Sequence, residues 1–325
     1  KIEIITKSRE VQNSATAIGY IDFICSLSVA AIHNRFVKPL INDNNYISIK
    51  AGRHPAVEKY YTKEVFIPND ILLDDNENMI AIITGPNMAG KSTYIRMCAI
   101  IQLLAQTGSF VPADSADISI ADRIFTRIGA SDNISRGEST FLVEMNETAN
   151  ILNNATEKSL IIMDEVGRGT STYDGLSIAW GVVEYIHKYI RAKTLFATHY
   201  HELTQLGSKT GIVNYNVLVK ETLNNVEFLH KVVTGSADKS YGIHVAKLAG
   251  LPKTIISRSA KILEKLEKSG SVKDRLSDTG TSSEQLEIFN ASNHILIQTL
   301  SRIDVESLTP LEAINELYKL KKLID

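Results

Sequence analysis

Cysteine is scarce in this sequence, with only two residues, Cys25 and Cys98, among 325. They lie far apart, and each falls within an apolar pattern typical of a helix. Two distant cysteines exclude a disulfide framework, and they do not supply the closely spaced ligands of a structural zinc site. We therefore expect a reduced, intracellular chain that is held together by neither.

A charge imbalance is also missing, because 35 basic and 37 acidic residues leave a formal net charge of −2. No global basic field indicates nucleic-acid binding, so any such contact has to be local or made by another part of the protein. No apolar run approaches the roughly 18 residues that span a bilayer, and a signal peptide is lacking. The sequence predicts no membrane contact, and its start at Lys1 predicts a part of a longer protein.

The strongest positive signal is a glycine-bounded loop at residues 85–92, with the sequence GPNMAGKS. It follows the apolar run 79–83 and precedes a helical pattern over residues 93–106. A strand, a G-x-x-x-x-G-K-S loop and a helix in this order predict a phosphate-binding loop. Its glycines let backbone N–H groups and the positive end of the helix hold phosphate oxygens. We expect Lys91 to reach the β- and γ-phosphates and Ser92 to place its hydroxyl on Mg²⁺.

Two further apolar runs end in polar residues that suit the same chemistry. Residues 160–163 are followed by Asp164 and Glu165, and residues 194–198 are followed by His199. A strand-end aspartate of this kind holds Mg²⁺, and an adjacent acid can orient or deprotonate the attacking water. His199 can donate a hydrogen bond to the γ-phosphate or have a structural role. Repeated strand–helix units with polar strand ends predict a mainly parallel, doubly wound sheet that binds ligands along one edge.

Two other positions are open to more than one interpretation. Ser139 lies just before a helical pattern, where a serine is most often an N-cap, although the same helix N-terminus can also hold an anion. Phe66 lies in a short apolar run, residues 65–67, which predicts a strand. Its ring can pack in the core, or it can stack on a nucleotide base, which a phosphate-binding loop does not contact.

The two ends of the chain differ in pattern from its middle. Apolar residues recur every three or four positions over residues 1–38, which predicts a long helix packed against a neighbouring helix. Residues 240–250 and 252–268 predict two helices joined by a Gly-Leu-Pro turn. Such a pair occurs in DNA-binding proteins, but the small and apolar residues of its first helix favour a packing role. Residues 269–284 predict a flexible linker.

Four motifs together resemble the ATPase of the MutS family of bacterial DNA mismatch repair proteins. They are GPNMAGKST at residues 85–93, ESTF at 138–141, DEVGRGTST at 164–172 and FATHY at 196–200. The resemblance extends over about residues 46–260. It implies an α/β fold of the P-loop NTPase class, with a mixed, mainly parallel sheet. Within that class the family is similar to ABC-type ATPases, whose sites form at a dimer interface.

The resemblance implies that the matching positions bind ATP and Mg²⁺. The residues expected to contact the nucleotide are Gly85, Pro86, Asn87, Met88, Ala89, Gly90, Lys91, Ser92, Thr93, Phe66 and His230. The last two are expected to enclose the adenine, and Ser139 to reach the nucleotide of a partner subunit. Ser92 and Asp164 are expected to hold Mg²⁺. The expected catalytic residues are Glu165, His199 and Asn87, with His199 as a sensor of the γ-phosphate.

The resemblance also implies how the chain is divided. Residues 1–45 are similar to the end of the family's long-helix core, and residues 46–234 to its ATPase domain. A helix–turn–helix dimerisation element is expected over residues 235–268. The linker is expected to occupy residues 269–290, and a helical oligomerisation tail residues 291–325.

The implied partners follow from the same resemblance. They are a second copy of the chain, with a tetramer as an alternative through the tail, the repair protein MutL, and mismatched double-stranded DNA bound by a part outside this chain. A cytoplasmic, nucleoid-associated location is implied. Within the linker, the sequence QLEIF is similar to the peptide that binds the replication sliding clamp. Its anchoring residues are expected to be Gln285, Leu286, Ile288 and Phe289.

The implied function is ATP binding and hydrolysis that switches a dimeric clamp between scanning, mismatch-bound and sliding states on DNA. An alternative is a paralogue that acts in chromosome maintenance or in suppression of recombination. Such a paralogue is expected to carry a nuclease-like module, and no such pattern follows residue 260. A transporter motor is disfavoured, because the Leu-Ser-Gly-Gly signature of that class does not precede Asp164.

Overall fold

A six-stranded sheet is the larger of the two sheets among the described residues in the computed structural model of this chain. The structure describes residues 6–60, 65–86, 89–129, 139–222, 225–236 and 241–269. The helices are α1 (Ser8–Asn34), α2 (Pro55–Tyr60), α3 (Lys91–Gln106), α4 (Thr140–Asn154), α5 (Thr172–Tyr185), α6 (Gly242–Leu248) and α7 (Lys253–Ser269). The strands are β1 (Leu40–Asn42), β2 (Ile47–Gly52), β3 (Asn69–Leu73), β4 (Ile80–Thr84), β5 (Ser115–Ser119), β6 (Ile124–Ile128), β7 (Leu160–Asp164), β8 (Lys193–Ala197), β9 (Ile212–Thr222) and β10 (Asn225–Thr234).

The six-stranded sheet has the strand order β10-β9-β4-β8-β7-β6. Its pairs are parallel except for the antiparallel pair of β9 and β10 at one edge. Strands β4, β7 and β8 are buried along their whole length, as expected for parallel strands that are covered on both faces. The prediction of an α/β fold with a mixed, mainly parallel sheet is confirmed. A smaller sheet, of order β1-β5-β2-β3, lies in the first half of the chain.

Two apolar cores lie on opposite faces of the six-stranded sheet. On one face, Ile83 of β4 packs in a cluster with Ile95 of α3. On the other face, Ile82 packs in a cluster with Val183 of α5. Successive strand residues point to opposite faces, and full burial of each such side chain stabilises the fold by about 2 kcal/mol. The helices are therefore held against the sheet, and their positions fix the loops at the carboxyl ends of the parallel strands.

Helix α1 differs from the expectation in its length and in its surroundings. It ends at Asn34, where Arg35 adopts a left-handed backbone conformation. Ala31 is its only buried residue, and apolar side chains such as Ile18 and Ile21 are exposed. The predicted packing of this stripe against a neighbouring helix is therefore not seen in the part of the chain that the structure describes.

The composition of α1 also overturns the expectation that no apolar run approaches the length of a membrane span. By length and composition, this helix is long and apolar enough to cross a bilayer, with a mean hydropathy of 1.7, and little of it is buried. The core helix of a soluble protein can have the same length and composition. The earlier expectation was wrong because it considered unbroken apolar runs, whereas serine, glycine and threonine lower the mean hydropathy of a helix only slightly.

The remaining elements agree with the sequence more closely, with one exception. Residues 65–67 do not form the predicted strand, but lead without strand pairing into β3. The two helices predicted near residue 250 are present as α6 and α7, on either side of a short turn. All the described residues belong to one compact unit, Lys1–Val272.

Candidate nucleotide site

The loop between β4 and α3 encloses the side chain of Lys91. Gly85 and Gly90 adopt φ angles of 135° and 102°, which glycine reaches readily and other residues do not. The Lys91 Nζ donates to Gly85 O at 2.6 Å and to Pro86 O at 3.1 Å. Burial lowers the pKa of Lys91, although the nearby carboxylates favour its charged form. The loop therefore holds a largely desolvated cation at its centre.

Asp164 ends β7 beside the N-terminus of α3. Its buried side chain accepts a hydrogen bond from Ser92, and its Oδ2 lies 3.9 Å from Arg96 Nη2. Its Oδ1 has no hydrogen-bond partner among the described residues. Burial raises the pKa of Asp164, and the charge of Glu165 adds to this effect, whereas Ser92, Arg96 and a nearby lysine oppose it.

These oxygens determine whether a metal ion fits the site. A desolvated carboxylate oxygen without a partner, next to a hydroxyl, is the kind of hard donor set that Mg²⁺ prefers. The described residues contain no group of three or more His, Cys, Asp or Glu side chains arranged to hold a metal. Asp164 and Ser92 therefore fit Mg²⁺ that completes its octahedral shell with water and phosphate oxygens.

Glu165 adopts a strained backbone conformation at the start of the loop formed by residues 165–169. Its φ is 54°, an uncommon value for a residue with a side chain. Its N–H donates to Ala197 O at 2.9 Å, which ties it to the end of β8. Its Oε2 accepts from Arg168 Nη1 at 2.6 Å. Strain of this kind concentrates at functional sites, because the surrounding structure has to maintain it.

A cavity of about 660 Å³ brings most of these groups together. Seven of the residues predicted from the sequence line it: Pro86, Gly90, Lys91, Ser92, Thr93, Asp164 and Glu165. Gly85 and Ala89 belong to the same loop without lining this cavity. Four charged residues that sequence reasoning did not assign to the site also line it: Arg96, Arg127, Glu144 and Arg168.

A second cavity, of about 250 Å³, contains both residues predicted to enclose the base. Phe66 and His230 line it, and Gly90 and Thr93 line both cavities, so the two adjoin. His230 Nδ1 lies 2.9 Å from Ala89 O. Since a carbonyl oxygen can only accept, the Nδ1–H tautomer is the one that donates a hydrogen bond to Ala89 O. The arrangement is a charged cavity joined to a mainly apolar one, which matches the two ends of a nucleotide.

Asn69 fixes the walls of the second cavity, and nothing in the sequence indicated this role. Its Nδ2 donates to Ile67 O at 3.1 Å and to His230 O at 2.9 Å. Its Oδ1 accepts from Val232 N at 2.8 Å. A single buried amide therefore connects the segment that carries Phe66 to the irregular stretch of β10 that carries His230.

Two predicted residues outside the phosphate loop, His199 and Ser139, also line neither cavity. His199 follows β8, and burial of part of its ring lowers its pKa, an effect that the charge of Glu165 partly offsets. Ser139 is the exposed N-cap residue of α4, and its side chain makes no capping hydrogen bond. Ser139 therefore occupies the N-cap position, but its hydroxyl does not cap the helix.

Several predicted residues cannot be placed in the site. Asn87 and Met88 of the phosphate loop lie outside the described residues. The same is true of the four anchoring residues of the predicted clamp peptide, Gln285, Leu286, Ile288 and Phe289. Their assignments stay predictions.

Comparison with known proteins gives matches in two parts of the chain. Residues 81–267 match the family model described as MutS domain V. Residues 290–323 match the model described as the DNA mismatch repair protein MutS C-terminal region. The first match covers the strands, loops and helices that form the charged cavity described above.

Individual relatives align along almost the whole chain. A protein of Caldanaerobacter subterraneus named DNA mismatch repair protein MutS is 54% identical over 96% of this chain and 36% of its own length. Its counterpart in Chlorobium chlorochromatii is 51% identical over 99% of this chain and 37% of its own length. The chain therefore spans a little over a third of the length of these relatives. With a domain model that matches more than half of its residues and identities above 50%, the chain belongs to the MutS family.

Proposed function

We propose that this chain is the ATPase part of a DNA mismatch repair protein. It binds ATP with Mg²⁺ and hydrolyses it, and the hydrolysis switches a dimeric clamp on DNA between states. The single observation that carries this proposal is the cavity in which Lys91, Ser92, Asp164 and Glu165 meet at the carboxyl edge of a parallel sheet. Phosphate, metal and water are the three reactants that these four side chains suit.

Each end of the nucleotide has a matching surface in this proposal. The phosphates lie in loop 85–92, where Lys91 and the N-terminus of α3 balance their negative charge. The adenine lies in the smaller cavity between Phe66 and His230. Because the two cavities share Gly90 and Thr93, one nucleotide can occupy both. This arrangement supports a P-loop NTPase of the ABC-type class.

Hydrolysis depends in this proposal on groups at three strand ends. Ser92 and Asp164 hold Mg²⁺, which supplies charge neutralisation for the phosphates. Glu165 orients the attacking water and accepts its proton, and the contact with Arg168 holds the carboxylate in place. His199 donates to the γ-phosphate, and its lowered pKa keeps the ring neutral at pH 7, so that it acts as a hydrogen-bond donor.

The proposed site requires two subunits. Ser139 is exposed and its hydroxyl is not used by its own helix, so it is free to contact the nucleotide of a partner. Helices α6 and α7, within the predicted element 235–268, form the dimerisation element, and residues 291–325 add oligomerisation contacts. Residues 290–323 match a MutS C-terminal region rather than a nuclease-like module, which favours mismatch repair over the paralogue alternative.

The wider partners belong to the same proposal. Mismatched DNA is read by a part of the protein outside this chain, and MutL is recruited in the ATP-bound state. The pentapeptide at residues 285–289 engages the sliding clamp. The protein works in the cytoplasm at the nucleoid.

The experiment that tests the proposal compares three forms of the protein. The wild type should bind and hydrolyse Mg²⁺–ATP. Lys91→Ala should lose ATP binding by about two orders of magnitude, because it removes the cation inside the loop. Glu165→Ala should bind ATP as the wild type does and hydrolyse it about 100-fold more slowly or less. Calorimetric binding and phosphate release measure the two steps separately, and multiple turnover retained by Glu165→Ala would remove that residue from its proposed role.

A further inference from the structure

A buried ion pair lies between the charged cavity and helix α4. Arg127 lies in β6, one position before its end, and Glu144 lies on α4, and each side chain is 4% exposed. The Arg127 Nη2 lies 3.0 Å from Glu144 Oε2. The half-exposed Glu147 also approaches the same guanidinium, with its Oε2 3.4 Å from Arg127 Nε. A buried pair of this kind does little for net stability, and no step of the proposed hydrolysis uses it.

The second oxygen of the Glu144 carboxylate holds the loop that begins with Glu165. Glu144 Oε1 accepts a hydrogen bond from Gly167 N at 2.5 Å. The loop also packs on the first turn of α4, since a Cβ added at Gly169 would lie 3.0 Å from Phe141 Cβ. Loop 165–169 therefore contacts α4 at two points, through the hydrogen bond of Gly167 to Glu144 and through the close packing of Gly169 on Phe141.

This attachment places two functional residues on one stiff unit. Glu144 follows Ser139 by five positions, which is about 7.5 Å along a helix. Glu165 lies two positions before Gly167. We propose that Glu144 is a positioning residue that couples Ser139 to Glu165 within one subunit. A nucleotide held against Ser139 in one site then alters hydrolysis in the other site. The inference rests on the proposed function, in which Ser139 faces the partner's nucleotide.

The variant Glu144→Gln tests the positioning role directly. A carboxylate offers two acceptor oxygens and an amide offers one, so this variant has to give up either Arg127 or Gly167. We expect kcat for ATP to fall about tenfold with little change in KM, because a misplaced catalytic group slows chemistry without weakening binding. The matched control is Glu147→Gln, which contacts the same guanidinium but not the loop. Equal kcat values for the two variants would overturn the proposal.

A second variant tests whether a lower kcat of Glu144→Gln results from a failure to fold. Replacing Arg127 and Glu144 together by methionine leaves no unpaired buried charge, and such replacements are often neutral or stabilising. We expect this double variant to fold and to unfold in one cooperative thermal transition, which separates a loss of positioning from a failure to fold. Its kcat should nevertheless fall as in Glu144→Gln, and a kcat equal to that of the wild type would overturn the proposal.

Mixed dimers test the coupling itself. One subunit carries Glu165→Ala, so that it holds ATP and all turnover comes from the other subunit. In that active subunit, Ser139→Ala should slow turnover about fivefold, although the active site receives its serine from the first subunit. The slowing should disappear when the active subunit also carries Glu144→Gln.

Two results of this experiment decide the coupling, and two results from homodimers decide the proposed function. No effect of Ser139→Ala in the active subunit would overturn the coupling. If Ser139→Ala slows turnover equally with and without Glu144→Gln in the active subunit, the role of Glu144 is overturned. A wild-type protein that hydrolyses no ATP would contradict the proposed function itself, and a normal rate in Glu165→Ala homodimers would do the same, so both failures are distinguishable from a failure of the coupling.

Discussion

Asp164 shows how one residue can oppose stability in order to serve the site. Its side chain is 8% exposed, and its Oδ1 has no partner among the described residues. Desolvation raises its pKa, so the folded state binds a proton at this carboxyl more readily than the unfolded state does. Ionised Asp164 therefore lowers the free energy of unfolding at neutral pH. Residues of this kind are typical of sites where a ligand supplies the missing charge.

We predict that Asp164→Asn stabilises the protein and inactivates it. The amide removes a buried charge, so the free energy of unfolding at pH 7 should rise by about 1 kcal/mol. Mg²⁺-dependent hydrolysis should be lost, because an amide is a weaker ligand for Mg²⁺ than a carboxylate. Thermal unfolding and ATP turnover measure the two effects on the same samples.

The pH dependence gives this prediction a definite sign. The contribution of Asp164 to the free energy of unfolding of the wild type decreases as the pH rises. The decrease begins near 3.8, the ordinary pKa of an aspartate, and is complete above the raised pKa of Asp164 in the folded state. The gain in free energy of unfolding of Asp164→Asn over the wild type should thus be largest at pH 7. It should shrink as the pH falls through the raised pKa of Asp164 toward 3.8. An advantage that grows toward acid pH would show that Asp164 is not the cause.

Sequence patterns predicted some of these residues well and missed others for a physical reason. Lys91 and Asp164 belong to contiguous motifs whose chemistry requires a residue type at a fixed spacing. Asn69 and Glu144 act through contacts with segments 161 and 23 positions away. Distances of this kind depend on the packed fold, and no local pattern distinguishes a buried asparagine that connects two strands from one in a turn.

At the scale of elements, helix α5 and loop 165–169 are in unusually close contact. A Cβ at Gly167 would lie 2.5 Å from Gly175 O, and the Gly167 carbonyl accepts a hydrogen bond from the Tyr200 hydroxyl at 3.0 Å. Gly167 also adopts a φ of 90°. The absence of a side chain at both glycines therefore sets the distance between the loop and the helix, and with it the position of Glu165.

We predict opposite effects for two glycines of the same helix. Gly175→Ala should lower the free energy of unfolding by about 3 kcal/mol or more, because its Cβ would overlap Gly167 O and the Tyr200 hydroxyl. Gly181→Ala is the matched control, since nothing lies within 4 Å of its added Cβ. It should raise the free energy of unfolding by about 0.5–1 kcal/mol through helix propensity alone.

Denaturant unfolding separates these two effects, and ATP turnover adds a second measure. Gly175→Ala should also reduce kcat more than ATP affinity, because it displaces loop 165–169 and leaves the phosphate loop intact. Similar stabilities for Gly175→Ala and Gly181→Ala would show that the loop can move away at little cost.

Helices and strands were predictable where a run of apolar residues in the sequence indicates that the element is buried. Strands β4 and β7 are apolar up to their last residue, and their polar ends meet at one edge of the sheet, as parallel strands require. Residues 65–67 are also apolar, but their side chains face a cavity rather than a neighbouring strand. The exposure of α1 could not be inferred either, because an apolar stripe indicates that a helix is covered without identifying its cover.

At the scale of the whole molecule, the charged cavity and the exposed Ser139 are complementary. Ser139 does not line the cavity of its own subunit, and it is exposed to solvent. In a two-fold dimer, a residue that faces out of one subunit can complete the site of the other. The proposed active unit is therefore built from loop 85–92 of one subunit and Ser139 of its partner.

We predict that two inactive variants restore activity when they are mixed. Homodimers of Lys91→Ala lack ATP binding, and homodimers of Ser139→Ala lack the partner contact. In a mixed dimer, the Lys91 of one subunit and the Ser139 of the other form one intact site. After subunit exchange at equal concentrations, half of the dimers are mixed and each has one intact site, so about a quarter of all sites are intact. The intact site lies in the subunit that carries Ser139→Ala, which the proposed coupling slows about fivefold, so the rate should reach about a twentieth of that of the wild type.

The same mixing with a different pair of variants provides the control. Lys91→Ala and Glu165→Ala both affect the subunit that binds the nucleotide, so no intact site arises in their mixed dimer. That mixture should show no recovery, whereas the Ser139→Ala mixture recovers. If neither mixture recovers although subunits exchange, Ser139 acts within its own subunit, and the site is complete in one chain. If both mixtures recover, mixing has raised the activity by stabilising the dimer and not by forming a shared site. The two mixtures together therefore show whether Ser139 serves its own subunit or its partner.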